Sequence, residues 1–170
     1  MTPTIRPATA DDFPAIYALH CAAFPSDGEA ALVEALALDG DVVVSLVAEV
    51  DGAIVAHALF SRMTVTGDGQ PITAAGLAPV ATHPDHQRQG YAAMLIDIAL
   101  AQLESHGTAM SFALGDPAYY TRFGYAVETA APFASPYAGP YFMARILDKA
   151  LALPKSGVAH YALAFSQMEE

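Results

Sequence analysis

The stretch from Val42 to Thr82 limits the fold more than any other part of the chain. Val42 to Val50 is rich in β-branched residues, and Asp51-Gly52 is the pair that two-residue hairpin turns favour. Ala53 to Val65 is apolar again and predicts a long returning strand. Thr66-Gly67-Asp68-Gly69-Gln70-Pro71 is a second turn signal, after which Ile72 to Thr82 reads as the third strand of a meander.

On the N-terminal side, Ile5-Arg6-Pro7 is predicted to be a short edge strand, where proline is tolerated. Asp11 or Asp12 can cap a helix whose apolar positions Phe13, Ile16, Tyr17 and His20 recur at helical spacing. Ser26-Asp27-Gly28-Glu29 has the form of a capping box, opening a second helix that carries Leu32, Val33 and Leu36. Beyond the meander, Tyr91 to His106 reads as a helix ended by Gly107. Tyr91, Met94, Leu95 and Ile98 lie on one side of it and Ile96, Leu100 and Leu103 on another, so most of its circumference is expected to be buried. Ala109 to Leu114 is a further strand, and Pro117 to Phe123 suffices for about two helical turns. Pro132 to Phe142 is rich in Pro, Gly and aromatics. A short helix is predicted near Leu147 to Leu153 and a last strand from Val158 to Phe165. Strands first and then a β-α-β-α stretch indicate an α/β domain with a mixed sheet.

Composition narrows the function. The chain has 170 residues, 54% hydrophobic and 15% charged, which is enough to bury a core in a single domain spanning 1–170. Seven Lys+Arg against 18 Asp+Glu give a net charge of −11, which argues against sequence-independent nucleic-acid binding. One Cys excludes an internal disulfide and a four-thiolate zinc site. No apolar run reaches the ~20 residues of a membrane span. The start, Met-Thr-Pro-Thr-Ile-Arg-Pro, has no apolar signal-peptide core, so the expected setting is the cytoplasm with no membrane partner.

The most informative segment is Gly76 to Ala92. A strand ends near Thr82, a polar loop His83-Pro84-Asp85-His86-Gln87-Arg88-Gln89-Gly90 follows, and a glycine sits where the next helix begins. A helix N-terminus presents unpaired N–H groups and a partial positive charge, which together hold phosphate. Gly90 and the small Ala92 let an anion approach the backbone, and Arg88 adds a full charge. There is no Walker loop, because no Gly-Lys-Ser/Thr follows, and no dinucleotide fingerprint, because the three spaced glycines are missing. By itself the segment is equally readable as an ordinary strand–helix connection.

Gln87-Arg88-Gln89-Gly90-Tyr91-Ala92 resembles the Gln/Arg-x-x-Gly-x-Gly/Ala element of the GNAT family of N-acetyltransferases. A second element, Gly115-Asp116-Pro117-Ala118-Tyr119-Tyr120-Thr121-Arg122-Phe123-Gly124-Tyr125, is similar to that family's C-terminal Tyr-x-x-x-Gly-Phe segment. Its wording is closest to predicted bacterial acetyltransferases that carry Gly-Asp-Pro-x-Tyr-Tyr-x-x-Phe-Gly. Gln87 stands in place of Arg, Ala92 in place of the final Gly, and Gly115-Asp116 in place of an Asn often found before the second motif.

The resemblance implies a central mixed, mostly antiparallel sheet flanked by helices and splayed near the fourth strand. It implies an acyltransferase that moves acetyl directly from acetyl-CoA to a primary amine of a small molecule or peptide, with no metal. Gln87, Arg88, Gln89, Gly90, Tyr91 and Ala92 would bind the pyrophosphate. The strand end at Val80, Ala81 and Thr82 would complete the cofactor site and polarise the thioester carbonyl through a backbone N–H. Pro79 lacks an N–H and would break the ladder there. Tyr120 would protonate the departing thiolate. For the base that deprotonates the amine, Glu29, Glu49, His20, His57 and a water relay stay open. So do two other activities: a catalytically lapsed acyl-CoA-binding sensor, and transfer of a longer acyl group.

Other residues have blander readings. Tyr119 and Tyr120 without Gly124 would be aromatic packing, and His83 with His86 lacks further ligands for a metal. Cys21 reads as a small buried hydrophobe. Phe133 to Phe142 either lines a substrate cleft or covers the core. Strand edges near the C-terminus leave room for a homodimer.

Overall fold

The computed structural model describes residues 2–167. In chain order the elements are β1 (Thr4–Pro7), α1 (Phe13–Ala23), α2 (Gly28–Leu38), β2 (Val42–Val50), β3 (Ala53–Arg62), β4 (Thr64–Gly67), β5 (Gln70–Ile72), β6 (Ala74–Thr82), α3 (Tyr91–Ser105), β7 (Met110–Leu114), α4 (Pro117–Tyr120), α5 (Val127–Ala130), β8 (Phe133–Ala134), β9 (Phe142–Ile146), β10 (Gly157–His160) and α6 (Ala164–Gln167). The larger sheet has the strand order β1-β2-β3-β6-β7-β9, and a smaller one the order β5-β4-β10-β8. The larger sheet is mixed, since β1 and β2 run antiparallel, β6 and β7 parallel, and β7 and β9 antiparallel. Among the described residues no helix is long and apolar enough to cross a membrane.

The contacts group the chain into two compact units. The first comprises residues up to Phe60, Pro79–Ala99 and the segment from Leu163; the second comprises Ser61–Ala78 and Leu100–Ala162. In the first unit, β2 follows the sequence to the residue. Asp51 and Gly52 both take positive φ, 52° and 78°, as the tight turn demands. α1 and α2 bury Ile16, Leu19, Leu32, Val33 and Leu36, while the strands bury Leu46, Ala48, Val55 and Leu59. In the second unit the core is aromatic: Phe112 stacks on Phe142 at 5.4 Å and meets Phe133 edge-on at 5.2 Å. Met63 and Met110 fill in around them.

Several expectations are corrected. The strand predicted from Ala53 to Val65 breaks at Met63, and the one from Ile72 to Thr82 breaks at Thr73. At these points the chain passes from the larger sheet into the smaller one and back, so the Asp68-Gly69 turn joins β4 to β5. Leu147 to Leu153 forms no helix; the regular element there is β9, just before it, hydrogen-bonded along β7. The last strand stops at His160, and α6 follows. α3 has one buried side, not two. Tyr91, Leu95, Ile96, Leu100 and Leu103 are buried, whereas Met94 and Ile98 are exposed. The capping box expected before α2 does not form: Asp27 makes no cap bond, and Ser26 Oγ accepts from the Gly28 N–H at 3.3 Å instead. Asp12 precedes α1 without capping it. Its carboxylate is taken up by the Thr9 N–H at 2.7 Å and by both terminal nitrogens of Arg6 at 2.7 and 2.8 Å. Cys21 is exposed on α1, not buried.

Candidate functional site

β6 leads into the loop that the sequence singled out, which lies in the first unit. The parallel ladder of β6 with β7 covers Ala74 to Leu77 and ends before Pro79, which has no N–H to continue it. At the strand end Val80 and Thr82 are half-buried and Ala81 is buried. The His83 N–H then donates to the Val55 carbonyl at 2.8 Å, and His83 Nδ1 accepts from the Asp85 N–H at 3.1 Å. Pro84–His86 makes one 3₁₀ turn.

Gln87 is extended, after which Arg88 takes φ 64° and Gly90 φ 82°. A non-glycine residue in the left-handed region is uncommon, so the Arg88 backbone is held there by the loop rather than by its own preference. Left-handed residues next to right-handed ones turn successive N–H groups toward one side, which makes a concavity suited to an anion. α3 begins immediately, at Tyr91, and its fifteen residues aim a helix N-terminus at the same place. Gln87, Arg88, Gln89 and Gly90 are exposed, Ala92 is half-buried, and Tyr91 is buried with its hydroxyl donating to Gln89 Oε1 at 2.9 Å. The structure thus brings Gln87 to Gly90 together as one exposed turn anchored by the buried Tyr91.

Tyr120 belongs to the second unit. Asp116 caps α4, its Oδ1 accepting from the Ala118 N–H at 2.9 Å, and Pro117 occupies the first turn. Gly124 ends the following 3₁₀ turn at φ 86°, and a Cβ there would come within 3.1 Å of the Arg145 side chain. The Tyr120 ring packs edge-on against Tyr119 at 5.1 Å and Tyr125 at 6.2 Å. Gly115, which stands where an Asn is often found, has a structural reason: a Cβ there would lie 2.5 Å from the Tyr120 ring. Burial, and then the neighbouring Tyr119, raise the Tyr120 phenol above its ordinary value. It therefore stays protonated across physiological pH.

Of the four candidate bases, Glu49 is in an ion pair with Arg6, which also holds Asp12. That guanidinium, and then the Thr9 N–H, keep the Asp12 carboxyl well below the usual range. His20 and His57 meet: His20 Nε2 lies 2.9 Å from His57 Nδ1, and His57 Nε2 lies 2.8 Å from Ser45 Oγ. Both rings are fully buried. Burial pushes His20 down to about 4, and burial together with His20 pushes His57 down to about 3, so both are neutral at pH 7. Glu29 Oε2 is enclosed with no hydrogen-bond partner among the described residues.

The histidine pair has a consequence for stability. Between about pH 4 and the ordinary value of 6.5 the unfolded chain binds protons on these imidazoles that the folded chain refuses. Their contribution is present in full above about pH 6.5 and is lost as the pH falls below it. The urea midpoint is expected to drop between pH 7 and pH 5, a window above most carboxylate titration. Equal midpoints at the two values would show that the imidazoles are solvated.

A family model described as an acetyltransferase (GNAT) domain matches residues 4–127, and the chain belongs to this family of acyltransferases. The uncharacterized N-acetyltransferase YhbS of Escherichia coli K12 is 39% identical over 115 residues, covering 67% of this chain and 68% of that protein. YjhQ of the same organism, also an uncharacterized N-acetyltransferase, is 35% identical over 105 residues, covering 61% of this chain and 58% of YjhQ. The crystal structure of YhbS in complex with CoA superposes with a TM-score of 0.87 at 32% identity, covering 98% of this chain and 93% of that one. A GNAT family acetyltransferase from Brucella melitensis in complex with acetyl-CoA gives 0.78 at 30%, covering 96% and 97%.

Proposed function

We propose that this chain is an acetyl-CoA-dependent N-acetyltransferase passing its acetyl group directly to a primary amine of a small molecule or peptide. The observation that carries this proposal is the turn at Gln87–Ala92, where two left-handed residues and the N-terminus of α3 converge on one exposed point. In a chain of net charge −11, a pyrophosphate must be held largely by backbone N–H groups, and this turn supplies them. The CoA and acetyl-CoA bound to the two similar structures support the same ligand here.

In the reaction, backbone N–H groups of the turn and Arg88 hold the pyrophosphate. A backbone N–H at Val80 or Ala81 takes the developing oxyanion. The amine, once neutral, attacks the thioester carbon, the C–S bond breaks, Tyr120 gives its proton to the departing sulfur, and the proton shed by the new amide nitrogen passes through solvent to restore the Tyr120 phenol. The resemblance of Gly115 to Gly124 to a motif of bacterial acetyltransferases supports this role for the phenol.

Titration calorimetry with acetyl-CoA, followed by thiol release across a panel of primary amines, tests this. Saturable binding and amine-dependent thiol release are the expected results. Binding without release from any amine of a broad panel, small molecules and peptides included, would leave a CoA-binding module in place of an enzyme.

A further inference from the structure

In the first unit, α1, α2, β2 and β3 enclose a groove of about 660 Å³, within the size range of small-molecule sites. Its walls are apolar, with Ile16 from α1, Val33 and Ala37 from α2, and Leu59 from β3. Ser45 is in the lining, and behind it runs the buried series Ser45–His57–His20. Placing two imidazoles in an apolar interior is costly unless their hydrogen bonds are met. Here one atom is left over: His20 Nδ1 has no partner among the described residues.

That orphan sets the direction of the series. Each neutral imidazole carries one N–H and one lone pair. If His20 Nε2 donates to His57 Nδ1, and His57 Nε2 donates to Ser45 Oγ, the atom left over is a bare lone pair. In the opposite order it is a buried N–H. Orphaned buried N–H groups are rarer in native structures than under-satisfied acceptors. The protons therefore run toward Ser45, whose hydroxyl hydrogen is left to donate to whatever occupies the groove. An anionic occupant is disfavoured, because Glu34 shares the lining and the two imidazoles are neutral. Ser45 is not a nucleophile in this arrangement. Attack would put a positive charge on His57, which burial and the adjacent His20 oppose.

We propose that this groove is a binding site for a neutral, largely apolar small molecule ending in a carbonyl oxygen, and that the Ser45 hydroxyl, aligned by His57 and His20, donates to that oxygen. The site is additional to the acetyl-CoA turn and does not depend on it.

The test is titration of 4-phenyl-2-butanone into protein labelled with ¹⁵N-histidine, with butylbenzene as the carbonyl-free control. Saturable binding that shifts the His57 ring nitrogens is expected for the ketone. Ser45→Ala should weaken it by roughly three- to tenfold, the ordinary share of one net hydrogen bond. Ala37→Phe, at an exposed position, should fill the groove and abolish binding while acetyl-CoA affinity stays at its parent value. No binding of the ketone at millimolar concentration, or binding that survives Ala37→Phe in a folded protein, overturns the site. Equal affinity for butylbenzene, or indifference to Ser45→Ala, overturns the role given to Ser45.

Discussion

Replacing Tyr120 with Phe is expected to lower acetyl transfer by roughly 10²–10⁴-fold, the range of a lost general acid, with acetyl-CoA affinity nearly unchanged. The substitution removes one hydroxyl and keeps the ring that packs against Tyr119 and Tyr125 and fits beside Gly115. Folding should therefore be preserved. The chemical reason lies in the leaving group. A departing thiolate of thiol pKa about 8.5 is expelled more readily if it takes up a proton as it leaves, and a phenol raised by burial still carries its own. Steady-state turnover with an active amine, set beside a titrated dissociation constant, separates the two effects. An unaltered rate would remove Tyr120 from the reaction.

Gly90→Val is expected to abolish acetyl-CoA binding altogether. At φ 82° a β-branched residue is a severe outlier, so the turn must abandon the conformation that aligns its N–H groups. Within the protein itself a Cβ at this position meets nothing within 4 Å. The loss therefore falls on the turn and on the ligand's approach, and the core is spared. Strain of this kind costs on the order of 1–3 kcal/mol, which a folded domain can absorb. Calorimetry should show no saturable heat for a variant whose circular dichroism matches the parent. Parent-like affinity in that folded variant would mean that the pyrophosphate binds elsewhere.

What could be read from the sequence was local. β2 and its turn were legible to the residue, because β-branched runs and Asp-Gly act over a few positions. The turn at Gln87–Ala92 and the Gly115–Gly124 segment stood out through their likeness to family motifs, each a contiguous run, although the first alone reads equally as a strand–helix connection. The breaks at Met63 and Thr73 were not, since an apolar strand carries no mark of the sheet it will join. β9 was hidden because Phe142–Ile146 emerges from a Pro- and Gly-rich stretch and gains its partner β7 from about thirty residues upstream. Met94 and Ile98 misled the reading of α3, as an exposed apolar residue is ordinary and leaves no signal of its direction. His20 and His57 were visible only as separate candidates, lying 37 positions apart on a helix and a strand. One signal did exist for their partner: Ser45 is the sole hydroxyl in the otherwise apolar run from Val42 to Ala48.

The exposed Cys21 bears directly on how this enzyme is assayed. Acetyl transfer liberates one thiol per turnover, and disulfide reagents that count thiols will also count the one on α1. Each protein molecule thus contributes a single stoichiometric equivalent, a rapid offset that ends after one event, whereas catalysis continues as a slope. The same side chain, as the chain's only cysteine, accepts one maleimide dye without any engineered substitution. A reporter on α1 would sit on a helix that also walls the groove, so changes in its emission on adding ketone or acetyl-CoA would compare the two ligands in one preparation.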